Sequence, residues 1–265
     1  MPNVAKLINW LNENFPLHYA ESFDNVGLLV GDPTAPFDSI ALTFDATPEA
    51  VQQAVALNTK VLISHHPVIF QGLKTITPFE RNQKAIMSAI KYGINLIAMH
   101  TNLDRATGGV NDVLAQRLGL KNIMPLSEND GIPHLIRIGE LPQGMPVDDF
   151  LQWVCVRLNS KTLRHNNPTS RAIKRVAVCG GSGSQFWREV HQANVDAFIT
   201  ADVKYHTFWD AQDSLFIIDA GHYETEVPVL QNLRNQLSET FNVPIHLIHS
   251  ENPVKYFVYG NQGND

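Results

Sequence analysis

The sequence has few cysteines, no long apolar segment and no excess of basic residues. Its two cysteines, Cys155 and Cys179, are typical of reduced thiols in the cytoplasm and not of a disulfide-rich secreted scaffold. No apolar run approaches the roughly 20 residues of a membrane-spanning helix, and residues 1–6 do not resemble a signal peptide. The net charge of −6 argues against a broad surface for nucleic acid. We therefore expect a cytoplasmic protein with no membrane partner and no specific nucleic-acid partner.

What the sequence does have is the composition of a globular protein and many histidines. Hydrophobic residues make up 44% and charged residues 17% of the 265 positions. This length suits one large domain or two smaller units that share a core. No low-complexity segment or long linker separates the halves. The 11 histidines are the outlier, and several of them follow predicted strands.

Both halves of the chain show strands alternating with helices. The first half predicts strands at 39–44, 60–64 and 94–99, and the second half at 175–179, 197–200 and 215–218. Thr47 and Pro48 resemble the start of a helix between two of these strands. A last helix through Leu230 and Leu237 precedes a strand at 243–249. This order is typical of α/β proteins with buried, mostly parallel sheets in three layers.

The similar rhythm of the two halves predicts an internal duplication of a βαβ unit. Unrelated α/β proteins share this rhythm without duplication, so both explanations remain open. We place the first α/β half at 1–128 and the second at 129–265. The second half is expected to join the first closely, and its C-terminal segment to complete a shared site.

Polar clusters follow four predicted strands, at the sheet edge where ligands of parallel sheets bind. The clusters are His65-His66, His100 with Asp104, Asp202 with His206, and His222 with Glu226. Imidazoles and carboxylates are the ligands that zinc, iron and manganese prefer. Each cluster alone has a simpler explanation, such as a structural histidine or a carboxylate that stabilises a helix start. Their combination favours a metal site.

The spacing within these clusters bears on how they reach one site. Neighbours on a regular strand point to opposite faces. Beyond a strand end, with Pro67 restricting the backbone, His65 and His66 could both turn into one site or reach two adjacent metals. Residues four apart, as in the other clusters, share one face of a helical turn. Asp202 and His206 either belong to the site or only support it.

Other catalytic signals are weak. The segment 180–183, Gly-Gly-Ser-Gly, is either a tight turn or a loop that receives an anion at a helix start. No Gly-x-Ser-x-Gly elbow supports a serine nucleophile. Asp202, His206 and Glu224 are candidates for a general acid, and no catalytic residue is assigned.

Several motifs, in this order, resemble the GTP cyclohydrolase 1 type 2 homologue family of dinuclear metal-binding proteins. The resemblance spans nearly the whole chain, and the paired histidines and the Gly-His-x-x-x-Glu motif are its most specific parts. The motifs are Phe23–Leu28, Ser64–Pro67, His100–Asp104, Arg137–Gly139, Gly180–Gly183 and Gly221–Glu226.

The resemblance implies two similar, intertwined α/β units and a toroidal homohexamer whose metal pairs face an internal cavity. It also implies two divalent ions per chain, of zinc, iron or manganese. Asp104 and Glu226 would bridge them, and His100 would only support the site. Tyr223 stands where some relatives have a further histidine, so no extra ligand is expected there. The five ligands implied are His65, His66, Asp104, His222 and Glu226.

Three functions follow as hypotheses. The first is a metal-dependent hydrolase of an unknown small molecule, such as a purine or pterin ring, an amide or a phosphoester. The second is a non-catalytic metal carrier, insertion factor or interaction scaffold that uses the same ligands. The third is a structural α/β protein with scattered histidines.

Overall fold

The computed structural model describes residues 1–257, so the last residues of the predicted second half, 258–265, lie outside it. Thirteen strands are present in this part: β1 Gly27–Val30, β2 Ile40–Asp45, β3 Val61–His66, β4 Asn95–Ala98, β5 Lys121–Pro125, β6 Glu128–Asn129, β7 Ile132–Pro133, β8 Arg137–Pro146, β9 Arg164–His165, β10 Ala172–Val178, β11 Ala197–Thr200, β12 Ile217–Asp219 and β13 Ile245–Leu247.

Ten α-helices and two short 3₁₀ helices, Leu17–Tyr19 and Ser184–Phe186, complete the described elements. The α-helices are α1 Val4–Asn14, α2 Pro48–Ala56, α3 Arg81–Tyr92, α4 Thr101–Arg105, α5 Val110–Arg117, α6 Val147–Leu158, α7 Trp187–Gln192, α8 Tyr205–Ala211, α9 His222–Glu226 and α10 Val229–Thr240. None of those found in residues 1–257 has the length and apolar character needed to cross a membrane.

The first sheet has five strands in the order β1-β4-β3-β2-β13. Its strands pair in parallel except for β1, which lies antiparallel at one edge. Helices α1 and α10 contribute Leu7 and Leu237 to the core on one face, and α2 and α3 contribute Val51 and Ile86 on the other. Both faces are covered, which explains why β2 and β3 are buried along nearly their whole length and begin with apolar residues.

The second sheet has six strands in the order β5-β8-β10-β11-β12-β9. Its centre, β10-β11-β12, is parallel, and the strands on either side pair in antiparallel fashion. Helices α5 and α6 pack on one face through Leu114 and Phe150, and α7 and α8 pack on the other through Val190 and Ala211. Each sheet therefore forms the middle of three layers, as the α/β prediction requires.

Helix α5 and the buried side chain of Arg137 join the two units. Val110 belongs to the core of the first sheet and Leu114, one turn later, to the core of the second. Arg137, on β8, donates to the Asp112 carboxylate and to the backbone carbonyls of Arg105 and His134. The mixed α/β fold is confirmed, whereas the internal duplication and the boundary between 128 and 129 stay predictions.

Local expectations are confirmed at the start of α2 and wrong at two other places. The Thr47 hydroxyl accepts a hydrogen bond from the Ala50 amide at 3.1 Å, with Pro48 in the first turn. Strand β3 does not stop before its histidines, because His66 still pairs with Asp45 of β2. Residues Arg164–His165, where no strand was predicted, pair with the end of β12 as an edge strand.

Candidate metal centre

The predicted site residues meet where strands of both sheets end. His65 and His66 are the last residues of β3, and Asp104 lies on α4, which follows β4. His222 and Glu226 occupy the first and last positions of α9, which follows β12 of the second sheet. Because α4 and α9 are single helical turns directly after strands, their polar side chains face the same sheet edge.

The carboxylate of Glu226 lies at the centre of the cluster. Its Oε2 atom is 3.4 Å from Nε2 of His65, 3.4 Å from Nε2 of His66 and 2.9 Å from Nε2 of His222. On the opposite side, Nε2 of His65 is 3.6 Å from Oδ1 of Asp104. The structure thus brings together all five residues that the family resemblance implied as ligands.

These side chains form three groups that could each hold an ion, with ligand atoms within 4.8 Å of one another. Glu226 belongs to two of the groups and His100 to one. The groups are His65 with Asp104 and Glu226, His66 with His222 and Glu226, and His65 with His66 and His100. His100, which the resemblance places in a supporting role, thus lies within reach of the same ligand atoms.

Each of the four histidines has its Nδ1 atom bonded to a protein oxygen. The backbone carbonyl of Met99 accepts from His65 at 2.8 Å, and this bond keeps Nε2 of His65 directed at the carboxylates. In the other three histidines Nδ1 is bonded to a carboxylate oxygen, at 2.7–2.8 Å. The pairs are His66 with Asp45, His100 with Asp24, and His222 with Asp202. This arrangement orients the rings in the way that metal-binding histidines are usually oriented.

Two of these orienting carboxylates were not recognised in the sequence. Asp24 lies in the Phe23–Leu28 motif and also accepts from the Thr101 amide at 3.0 Å. Asp45 ends β2, beside His66. Their only sequence signal is a position within a motif, for Asp24, or at a strand end, for Asp45. Asp202, considered as either a site or a support residue, bonds to His222 and so supports it.

Three buried atoms at the centre have no hydrogen-bond partner within residues 1–257. They are Nε2 of His65, Oδ1 of Asp104 and Oε2 of Glu226. A buried polar atom without a partner costs about 1–3 kcal/mol, so three that converge on one point would strongly destabilise the fold. A divalent cation would bind all three atoms at once. Nitrogen and carboxylate oxygen are also the donors that zinc, iron and manganese take, so the residues present fit such an ion.

The ionisation of the centre fits the same interpretation. Burial alone would lower the pKa of His66 and His222, but the nearby negative charge of Glu226 and the hydrogen bonds to Asp45 and Asp202 raise these pKa values to about 10 and about 9. Burial and the charge of Glu226 raise the pKa of Asp104. Without a cation, the centre therefore retains protons among its acidic groups. Metal binding displaces such protons, and this competition makes the affinity depend on pH.

Two of the cavities formed by residues 1–257 each reach at least two of the five expected ligand residues. One of about 460 Å³ is lined by His66, His222, Arg164 and Tyr256. The other, of about 330 Å³, reaches Asp104 and Glu226 past Phe23. Either is large enough for a small organic molecule beside the metal-ligand groups.

The remaining candidates lie outside the metal-ligand groups. Tyr223 donates a hydrogen bond from its hydroxyl to the carbonyl of Ser250 at 2.7 Å. Glu224 accepts from the Asn252 amide at 2.9 Å. His206 is exposed and stacks edge-on against Tyr205. No general acid emerges among them.

Comparison with known proteins identifies the family of this chain. A family model described as Duf34/NIF3 (NGG1p interacting factor 3) matches residues 2–253. The chain belongs to this family. A curated relative from Clostridium perfringens, named GTP cyclohydrolase 1 type 2 homolog, is 34% identical over 248 residues, which is 92% of this chain and 95% of the relative. The resemblance inferred from the sequence motifs is therefore confirmed.

Solved structures of relatives share the fold over nearly the full length. The hypothetical protein SA1388 of Staphylococcus aureus matches with a TM-score of 0.90 at 29% identity, covering 96% of this chain and 99% of that one. A Bacillus cereus protein related to NIF3 matches with a TM-score of 0.87 at 25% identity, covering 97% and 99%. These similarities support the two-sheet architecture throughout.

Proposed function

We propose that the protein binds two divalent metal ions, with Glu226 as the shared ligand. The observation that supports this proposal is the convergence of buried atoms without partners on His65, Asp104 and Glu226. His65, Asp104 and Glu226 would hold one ion, and His66, His222 and Glu226 the other. Asp104, the second carboxylate expected to bridge, belongs to only one group. The donor set is compatible with zinc, iron or manganese.

The activity that best suits this centre is hydrolysis of a small molecule. When bound, two divalent ions supply Lewis acidity, which acidifies water and polarises a carbonyl or phosphoryl oxygen. The chain itself fixes the imidazoles through Asp45 and Asp202 and admits a substrate through the adjoining cavities. The name of the relatives suggests a cyclohydrolase acting on a purine or pterin ring, and an amide or phosphoester fits the same chemistry.

A second function, as a metal carrier or insertion factor, is favoured by the unequal burial of the ligands. The side chains of His65 and Glu226 are 0% and 4% exposed, whereas those of His66 and His222 are 26% and 35% exposed. An ion held by the exposed histidines can meet solvent or a partner protein. Exchange of that ion within seconds, with no turnover of any tested substrate, would favour the carrier or a scaffold over the hydrolase.

We further propose that the protein works in the cytoplasm as a homohexameric toroid, as the family resemblance implies. Large exposed apolar side chains, including Phe79, Tyr205 and Trp209, are available for contacts between copies. Size-exclusion chromatography with light scattering tests the assembly. A monomer at micromolar concentration would exclude the hexamer without affecting the metal centre.

The direct test of the metal proposal is metal content by elemental mass spectrometry. Wild type should carry close to two ions per chain, and Glu226→Gln should lose most of both. Glu224→Gln is the matched control, because Glu224 lies on the same short helix outside the ligand groups. If wild type holds no metal after incubation with zinc, iron(II) and manganese, the proposal is wrong.

A further inference from the structure

The Gly180–Gly183 loop, which connects β10 to the following 3₁₀ helix, lies directly against Glu226. The backbone amides of its three glycines already have partners. Gly180 donates to the Asn111 side chain at 2.6 Å, Gly181 to the Thr225 hydroxyl at 3.0 Å, and Gly183 to the Thr200 hydroxyl at 2.9 Å. These amides are therefore not free to hold an anion, and the loop needs another explanation for its glycines.

The space beside Gly181 is occupied by the Glu226 carboxylate. A Cβ atom at Gly181 would lie 2.0 Å from Oε1 and 2.9 Å from Cδ of Glu226, and 3.1 Å from Nε2 of His222. Contacts below 3.0 Å do not persist in folded proteins, so either the loop or the carboxylate would have to move. At Gly180 the corresponding atom would lie 3.1 Å from Cγ of Glu226.

The loop cannot readily move, because Gly181 is held on both sides. Its amide donates to Thr225, on the same helix as Glu226, and its carbonyl accepts from the Ala201 amide at 2.8 Å and from the Thr200 hydroxyl at 3.0 Å. Its φ of +57° also lies in the left-handed region that favours glycine. A side chain at this position would therefore displace the carboxylate.

We propose that Gly181 is a positioning residue for the metal centre, where the absence of a side chain provides the space for the Glu226 carboxylate. With Oε1 in this space, Oε2 faces the imidazoles of His65, His66 and His222. The proposal rests on the proposed metal binding. It also explains how a loop of the second sheet helps to build a site shared with the first.

The test compares two glycine variants with equal backbone strain. Gly181→Ala introduces a methyl group next to Glu226. Gly93→Ala is the matched control, because Gly93 has a φ of +65° and an added Cβ there has no neighbour within 4 Å. Metal affinity is measured by competition with a chromogenic zinc chelator, and metal-free thermal stability by circular dichroism.

In the metal-free state Gly181→Ala should lose at least as much stability as Gly93→Ala, because both carry the same backbone strain and only the methyl group at Gly181 displaces a buried carboxylate. Only Gly181→Ala should lose zinc affinity, by about 10–100-fold, the range typical of residues that orient metal ligands. Equal zinc affinity in Gly181→Ala and Gly93→Ala would overturn the inference while leaving the metal proposal intact. If wild type itself binds no metal, the metal proposal fails first and the inference fails with it.

Further variants keep the test decisive if Gly181→Ala fails to fold, and separate an effect on the Glu226 carboxylate from an effect on the fold. If Gly181→Ala does not fold, Gly180→Ala in a Val110→Ala background replaces it, with Val110→Ala alone as its control. An added Cβ at Gly180 would lie 3.1 Å from Cγ of Glu226 without a left-handed φ, and the second change removes its 2.8 Å contact with Cγ1 of Val110. Glu226→Asp shortens the carboxylate, so adding Gly181→Ala to it should reduce zinc affinity less than in wild type. Equal losses in both backgrounds would show that Gly181 acts on the fold and not on the carboxylate.

Discussion

Nε2 of His65, at the end of a strand of the first sheet, lies 3.4 Å from Oε2 of Glu226, on a helix that follows a strand of the second. Neither atom has a hydrogen-bond partner among the residues described. The two units of the fold therefore meet at a pair of unsatisfied polar atoms. A cation bound there would link the units, so metal binding and global stability should be coupled.

Metal removal should destabilise the whole protein. Binding to the folded state alone contributes about 4 kcal/mol when free metal is about 1,000 times Kd, which corresponds to roughly 10 °C in Tm for a chain of this size. Chelation should therefore lower the Tm of wild type, as followed by scanning calorimetry. His65→Ala should show no chelator response, whereas His191→Ala, an exposed histidine outside the centre, should respond like wild type.

The carboxylates that are hydrogen-bonded to Nδ1 of the histidines should contribute unequally to metal affinity. Asp45→Asn and Asp202→Asn remove the charged partners of His66 and His222 and should weaken metal binding by about 10–100-fold. Asp24→Asn, behind His100, should have a smaller effect because His100 is not among the five proposed ligands. Competition titrations with a zinc chelator measure the zinc affinity of all three variants. An equally large loss in Asp24→Asn would show that His100 binds metal.

The metal-free protein should become less stable as the pH rises. His66 and His222 have pKa values raised from 6.5 to about 10 and about 9 in the folded state. Groups with raised pKa values stabilise the fold fully below the unfolded value, and this contribution is lost as the pH rises through 9 and 10. Urea unfolding of chelator-treated protein from pH 6 to 10 tests this expectation. A double variant, His66→Gln with His222→Gln, should show a flatter dependence, and identical profiles would contradict it.

Arg137 should matter for stability far more than a surface arginine. Its side chain is 3% exposed and donates to Asp112 and to two backbone carbonyls that link the units. Arg137→Met would leave these buried acceptors without a donor, at a cost of about 3–5 kcal/mol in the free energy of unfolding. Arg175→Met is the control, because its contact with Glu140 is exposed and worth about 0–1 kcal/mol. Chemical denaturation should show a larger loss in the free energy of unfolding for Arg137→Met than for Arg175→Met. Similar losses in the two variants would exclude the proposed role of Arg137.

Features that depend on local pattern could be predicted from the sequence. The i, i+4 spacing of His222 and Glu226 places both on one helical turn, and the structure has them there. Thr47 begins its helix as the cap rules require. The α/β class followed from apolar strands of the kind that are buried on both faces, such as β2 and β3.

Features that depend on long-range packing could not be predicted. Strand β1 was missed because it is a short edge strand, mostly half-buried, with an irregular register. The partners of the histidines, Asp24 and Asp45, are apart from them in sequence and meet them only when the strands align. The contact between Gly181 and Glu226 likewise exists only after both sheets have formed.

The most direct measurement is anomalous diffraction from crystals of the purified protein, recorded on both sides of the zinc, iron and manganese absorption edges. We predict two peaks per chain, one among His65, Asp104 and Glu226 and the other among His66, His222 and Glu226. Two metals sharing a carboxylate should lie about 3.5–4 Å apart. Absence of any anomalous peak at these residues in metal-soaked crystals, or peaks only elsewhere on the surface, would contradict the proposed dinuclear centre.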